Sequence, residues 1–118
     1  MLQFQNRFHG HSSLKYVYKH GVSQRSRMIT VRSIHNPRRQ HARFAVVVSK
    51  KILKSAVGRN RIRRRVYEVI RQELPKLKPS HDVVVLIFSS EVRDIPFTDL
   101  QENMCSLLDR AGLYREQR

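Results

Sequence analysis

Apolar residues recur along the chain with two different periods, and the changes of period divide it into elements. Leu14, Val17 and Tyr18 stand at i, i+3 and i+4 behind Ser12 and Ser13, either of which can cap a helix, and Gly21 follows as a stop. This predicts a short first helix. Met28 to Ile34 alternates, with Ile29, Val31 and Ser33 on one face and Met28, Thr30, Arg32 and Ile34 on the other, which predicts a half-buried strand. Residues 35–42, with Asn36-Pro37, read as the loop after it. Phe44 to Val48 is an unbroken apolar run of strand-forming types, as in a strand covered on both faces. A helix fits residues 59–74, where Ile62, Val66, Val69, Ile70 and Leu74 keep helical spacing and Pro75 blocks continuation. After a Pro79-Ser80 break, Val83 to Phe88 forms a second apolar strand. The last helix carries one stripe of Phe97, Leu100, Met104, Leu107, Leu108 and Ala111; Thr98 and Gln101 resemble a capping box and Gly112 a stop. Residues 1–11 are polar, basic and aperiodic, and read as an extended arm; residues 22–25 leave room for a short edge strand.

The element order is αβββαβα, which predicts an α+β fold: a single-layer mixed sheet with helices packed on it. At 118 residues and 14.0 kDa the chain reads as one domain, residues 1–118.

Charge changes this picture. The 24 Lys and Arg against 9 Asp and Glu give +15, and the imbalance is concentrated: residues 1–67 contain no acid at all. With 40% hydrophobic residues the chain can still build a core, so the charge belongs to a folded surface, and a dense polyanion is the partner that best accounts for it. Nucleic acid fits this better than an anionic membrane surface. A single cysteine, Cys105, suits a reducing compartment, and the longest apolar run is too short to cross a bilayer, so a soluble intracellular protein is expected.

The candidate chemistry lies between residues 50 and 65, where Lys50, Lys51, Lys54, Arg59, Arg61, Arg63, Arg64 and Arg65 occur without an acid. At 100° per residue, Asn60, Arg61, Arg64, Arg65 and Arg71 fall opposite the apolar stripe of the helix, giving it one core face and one cationic face. Neighbouring arginines repel by roughly a few tenths of a kcal/mol per i, i+4 pair. Phosphate oxygens, which guanidinium forks bind bidentately, would offset that repulsion. Tyr16 and Tyr18 are candidates to stack on unpaired bases, although Tyr18 also lies on the apolar stripe. His9, His11, His20, His35, His41 and His81 show no paired-ligand spacing, so no metal site is expected. No carboxylate precedes Glu68, so the basic half lacks the acidic cluster of a two-metal nuclease, and no catalytic residue is expected in the polypeptide. Cys105, on the last helix's apolar stripe, reads as a small packing hydrophobe.

Val57-Gly58-Arg59-Asn60-Arg61-Ile62-Arg63-Arg64 resembles the RNR signature of the bacterial ribonuclease P protein component, preceded by a similar strand end, Val48-Ser49-Lys50-Lys51. Tyr18-Lys19-His20-Gly21 and Leu113-Tyr114 also fit, so the resemblance covers about residues 7 to 114. It implies a ribosomal protein S5 domain 2-like fold with a left-handed βαβ crossover, against the right-handed connection of about 98% of such units. It also implies one protein subunit bound to a large catalytic RNA, acting in the cytoplasm. That RNA, with Mg2+ held by the RNA, hydrolyses the 5′ leader from precursor tRNA, while the protein binds the leader and strengthens affinity for substrate and metal ions. By the same resemblance, Lys50, Lys51, Arg59, Asn60, Arg61, Arg63, Arg64 and Arg65 contact RNA backbone, and Leu14, Tyr18, Thr30, Arg32 and Val47 line a leader cleft. Where the family often has aromatic residues, this chain has Leu14 and Arg32. A structural RNA-binding protein of the ribosome is the alternative that charge and fold class allow, and a double-stranded DNA binder a third; the RNR helix after Ser-Lys-Lys favours the first reading.

Overall fold

The computed structural model describes residues 4–8 and 11–116. Its elements are α1 (His11–His20), β1 (Val22–Arg25), β2 (Ile29–His35), β3 (Arg43–Val48), α2 (Ala56–Glu73), β4 (His81–Ile87) and α3 (Phe97–Arg110). The strands form one mixed sheet in the order β1-β2-β4-β3, in which β3 and β4 are parallel neighbours joined through α2 and the other pairs are antiparallel. The α+β order read from the sequence is therefore the observed one, and the edge strand at 22–25 is real.

Several boundaries move for identifiable reasons. The helix placed at 59–74 begins earlier, at Ala56, because the Ser55 hydroxyl accepts from the Gly58 amide at 3.0 Å and caps it. Ser12 and Ser13 lie inside α1 rather than before it. At α3 the expected cap is wrong: Pro96 occupies the cap position without a side-chain bond, Thr98 sits within the first turn, and the Asp99 and Leu100 amides both donate to the Pro96 carbonyl. Met28 also departs from its expected face. It precedes β2, where Ser26 N donates to Ile29 O and Phe88 N to Met28 O, and this tight turn swings its side chain into the core.

The arm expected over residues 1–11 is not free where it is described. Phe4–Asn6 form a 3-10 turn, Asn6 Nδ2 donates to Ala42 O, and Arg7 bridges Phe44 in parallel, so the segment covers the outer edge of β3. An uncovered edge would leave unpaired amides and carbonyls. Residues 1–3, 9 and 10 of that arm lie outside the described residues.

Register sorts the strands into two faces. Ile29, Val31, Phe44, Val46, Val48, Val83, Val85 and Ile87 point to the side where α2 and α3 supply Ile62, Val66, Val69, Ile70, Leu100, Met104, Leu107 and Leu108, and this is the main core. Thr30, Arg32, Ala45, Val47, Val84 and Leu86 point to the other side, which carries α1 with Val17 fully buried. Cys105 is not the plain packing residue expected: it is half-buried, and its thiol donates to Oε1 of the buried Glu73 at 3.1 Å, as does the Tyr114 hydroxyl at 2.8 Å. Around this carboxylate the C-terminal segment docks, through Lys78 N to Leu113 O and Arg115 N to Lys76 O.

Candidate nucleic-acid interface

Two surfaces concentrate the candidate residues, one on each side of the sheet. The first lies where α1 packs over β2 and β4, beside the edge strand β1. Gly21 ends α1 with its amide on Val17 O at 2.8 Å, and a Cβ there would stand 2.6 Å from that same backbone oxygen and 3.1 Å from Cγ of Arg32. Only glycine lets the chain pass so closely over the sheet. Beneath it, Arg32 donates from Nε to Val17 O at 3.0 Å and from Nη1 to the Ser23 hydroxyl at 2.7 Å, tying helix, edge strand and sheet together.

Beside this tie opens a cleft of about 630 Å³ lined by Tyr18, Ser23, Arg25, Ser26, Arg27, Thr30, Arg32, Leu86 and Phe88. Thr30 and Leu86 are cross-strand partners and form its floor. The Tyr18 and Phe88 rings remain 39% and 55% exposed, enough to receive a stacked ring, and burial raises the Tyr18 hydroxyl above its ordinary value. Among the described residues no carboxylate lines the cleft, although Arg27 is paired at the surface with Glu91.

The structure thus brings together Tyr18, Thr30 and Arg32 of the residues expected here. Leu14 lies one helical turn before Tyr18, and Val47 pairs with Leu86 on the same sheet face, but neither lines the cleft. Sequence reading missed Ser23, Arg25, Ser26, Arg27, Leu86 and Phe88. Phe88 was legible only as a strand residue; it falls just beyond β4, which releases its ring to solvent. Tyr18 was ambiguous, and its exposure settles it as a surface ring rather than core.

The second surface is the N-terminal half of α2 with the turn before it. Lys50 and Lys51 are exposed in a turn closed by Ile52 N and Leu53 N on Ser49 O. Gly58 lets Leu53 approach; a Cβ at Gly58 would stand 2.6 Å from its Cδ2. Arg59 Nη1 then donates to Leu53 O at 2.9 Å and Lys54 O at 2.7 Å, fixing turn and helix as one body.

The arginines on this face are not equivalent. Arg61 Nε donates to Arg93 O at 3.1 Å, and Arg65 donates to Val92 O at 2.6 Å and to Ile95 O, so these two hold the 3-10 segment Ser90–Arg93 and the chain after it against α2. Burial and the Arg61 charge lower the Arg65 pKa, partly countered by Asp94. Asn60 Oδ1 accepts from Arg63 Nη2 at 2.8 Å. Arg64 is exposed and has no side-chain partner among the described residues. Angular position alone could not separate arginines that clamp backbone from those that face solvent.

The ribonuclease P family model matches residues 2–112. The chain belongs to the ribonuclease P protein family. Over 76 residues, 64% of this chain, it is 46% identical to the ribonuclease P protein component of Chloroflexus aurantiacus, of whose length the match spans 56%. The Clostridioides difficile ribonuclease P protein component is 32% identical over 103 residues, 86% of this chain and 88% of that one. Among solved structures, the ribonuclease P protein of Thermotoga maritima superposes with a TM-score of 0.78 at 25% identity, covering 88% of this chain and 96% of that one. The Staphylococcus aureus ribonuclease P protein shares the fold with a TM-score of 0.82 at 24% identity, over 93% and 98% of the two chains. This membership decides against the ribosomal-protein alternative. No helix among the described residues is long and apolar enough to cross a membrane.

Proposed function

We propose that the chain is the RNA-binding subunit of a cytoplasmic ribonucleoprotein that removes the 5′ leader from precursor tRNA. The RNA partner performs the hydrolysis with magnesium that it holds itself, one protein serving each RNA. The observation that carries this reading is the α1-face cleft, in which exposed rings and guanidinium groups meet without a carboxylate, the combination that suits unpaired, unstacked RNA.

Each surface has its own task. Lys50, Lys51, Arg63 and Arg64 neutralise phosphates of the RNA subunit, while Arg59, Arg61 and Arg65 keep the turn and the segment after β4 in place and offer their remaining N–H groups to the same backbone. In the cleft, Tyr18 and Phe88 stack on leader bases, Arg25 meets their phosphates, and Arg32 fixes the distance between α1 and the sheet. Leu14 and Val47 support the cleft from beside it. Among the described residues no group of three or more His, Cys, Asp or Glu is placed to hold a metal ion.

The test is reconstitution. Purified chain, a ribonuclease P RNA, magnesium and precursor tRNA together should release the leader at the mature 5′ end, with lower substrate KM than the RNA alone. Multiple-turnover cleavage by the RNA-free chain, or no change in KM, would overturn the proposal.

A further inference from the structure

A third surface lies at the far end of the sheet, where neither the cleft nor the α2 face reaches. Two recesses flank the β2–β3 loop and share Arg38 and Arg39: one of about 660 Å³ lined by Tyr16, His35, Asn36, Pro37, Arg38 and Arg39, the other of about 390 Å³ to which Arg7, His41 and Arg43 also contribute. Among the described residues no carboxylate lines either. Asp82, near the start of β4, is occupied by Arg43 and Asn36.

The loop is held in shape by groups other than its arginine side chains. Arg38 N donates to Asn36 Oδ1, Arg39 N to Asn36 O, and Asn36 N to Ser80 O at 2.7 Å. Ser80 adopts a left-handed backbone (φ 63°) and donates its hydroxyl to Arg39 O at 2.6 Å. A non-glycine residue in that region persists only where its surroundings fix it. The Arg38 and Arg39 guanidinium groups are left exposed, with no side-chain partner among the described residues.

An aromatic platform adjoins them. Tyr16 is 52% exposed and its ring lies against His20, centroids 4.6 Å apart. Tyr16 and Tyr18 are two residues apart, about 200° around α1, so one helix presents Tyr18 to the cleft and Tyr16 to the larger recess. From Thr30 in the cleft to His35 at this loop is roughly 17 Å along β2.

We propose that the Arg38–Arg39 loop and Tyr16 form a second site for single-stranded RNA, with phosphates on the two guanidinium groups and one unpaired base on the Tyr16 ring. It rests on the reading of the chain as a binder of unpaired RNA and extends it beyond the cleft. The strand it takes comes either from leader nucleotides beyond those in the cleft or from an unpaired stretch of the RNA subunit.

The experiment compares the full chain with Arg38→Ala/Arg39→Ala, Tyr16→Ala and, for the cleft, Tyr18→Ala. The substituted arginine side chains carry none of the loop's hydrogen bonds, so the fold should stand, with circular dichroism and melting temperature as checks. The first probe is an oligouridylate of about a dozen nucleotides. The double variant should flatten the dependence of log K on log salt by about 1.4, at about 0.7 for each single-strand phosphate. Tyr16→Ala should weaken binding about 5- to 150-fold with little change in slope, the loss of one stacked base. Reconstituted holoenzyme with precursor tRNAs of short and long leader then separates the sources. A loss confined to the long leader identifies leader nucleotides, whereas equal losses together with weaker binding of the RNA subunit identify that subunit. If both variants match the parent in affinity and slope for every RNA, the loop is a solvated cationic ridge and the proposal fails. If instead only Tyr18→Ala is silent, the cleft reading fails and this site stands.

Discussion

Arg43 and Asp82 face each other across the parallel β3–β4 pair, joined by two 2.8 Å hydrogen bonds, Nε to Oδ1 and Nη2 to Oδ2, with 7% and 2% of their side chains exposed. Each stands immediately before its strand's apolar run, and each is the first residue to pair in that register. Asn36 adds a donor to Oδ2 at 2.9 Å, and the Arg43 guanidinium lies 4.9 Å from the centre of the Phe8 ring. The pair therefore sets β3 against β4 and anchors both the N-terminal segment and the loop before β3. Removing one partner leaves a buried charge, so Asp82→Ala should lower unfolding free energy by about 3–5 kcal/mol in urea denaturation. Replacing both by apolar residues of similar volume should cost much less; equal losses would show that the pair's value is its packing alone.

Gly21→Ala should destabilise by about 1–3 kcal/mol, the usual penalty of forcing an atom into a filled space. The obstruction is backbone: the new Cβ meets Val17 O at 2.6 Å and Ser33 O at 3.1 Å, so no rotamer relieves it. Gly58→Ala is crowded by the movable Leu53 side chain, with Ser55 Cβ at an ordinary contact distance, and should change melting temperature far less.

Arg64 and Arg65 are adjacent in sequence and differ in role. Arg64→Ala should leave stability unchanged and flatten the salt dependence of RNA binding by about 0.7 to 0.9 in slope. Arg65→Ala removes the donor to Val92 O and Ile95 O and should destabilise by roughly 1.5–3 kcal/mol, the range for charged hydrogen bonds. Parallel urea titrations and binding isotherms at several salt concentrations separate the two.

Burial alone would raise the Glu73 carboxyl, but hydrogen bonds from Cys105 and Tyr114 and the Lys76 charge bring it below the usual carboxylate range. A folded pKa below the unfolded value, about 4.3, means that the stabilisation is complete above that value and is lost as pH falls through the folded one. Glu73→Gln should therefore flatten stability against pH below that point. Glu68, held at about 2 by hydrogen bonds from Arg71 and Gln72, lies on the exposed face of α2, so Glu68→Gln should alter the acid profile little. Acid titration of the two variants by circular dichroism distinguishes them.

Strong periodicity made most of the fold legible: α2, α3 and the two apolar strands stand where their patterns put them, because burying a continuous stripe leaves few alternatives. What escaped depends on contacts between distant residues. The Ser55 cap is local, yet it lay hidden because the apolar stripe starts only at Ile62, several residues into the helix. Nothing local marks Phe4–Asn6 as the cover of β3's edge, or Met28 as core. In the site, alternation correctly placed Thr30 and Arg32 on the α1 side, opposite Ile29 and Val31, whereas Arg25, Arg27 and Phe88 join the cleft only through the β1–β2–β4 strand order.

Whether the α1-face cleft holds the leader of precursor tRNA is tested most directly at Tyr18. Holoenzymes reconstituted with the parent chain and with Tyr18→Ala should be compared for affinity toward precursor and mature tRNA at two salt concentrations. Tyr18→Ala should cost about 1–3 kcal/mol for precursor tRNA, nearly independent of salt, and nothing for mature tRNA, which has no leader. Equal losses for the two tRNAs would contradict leader binding in the cleft.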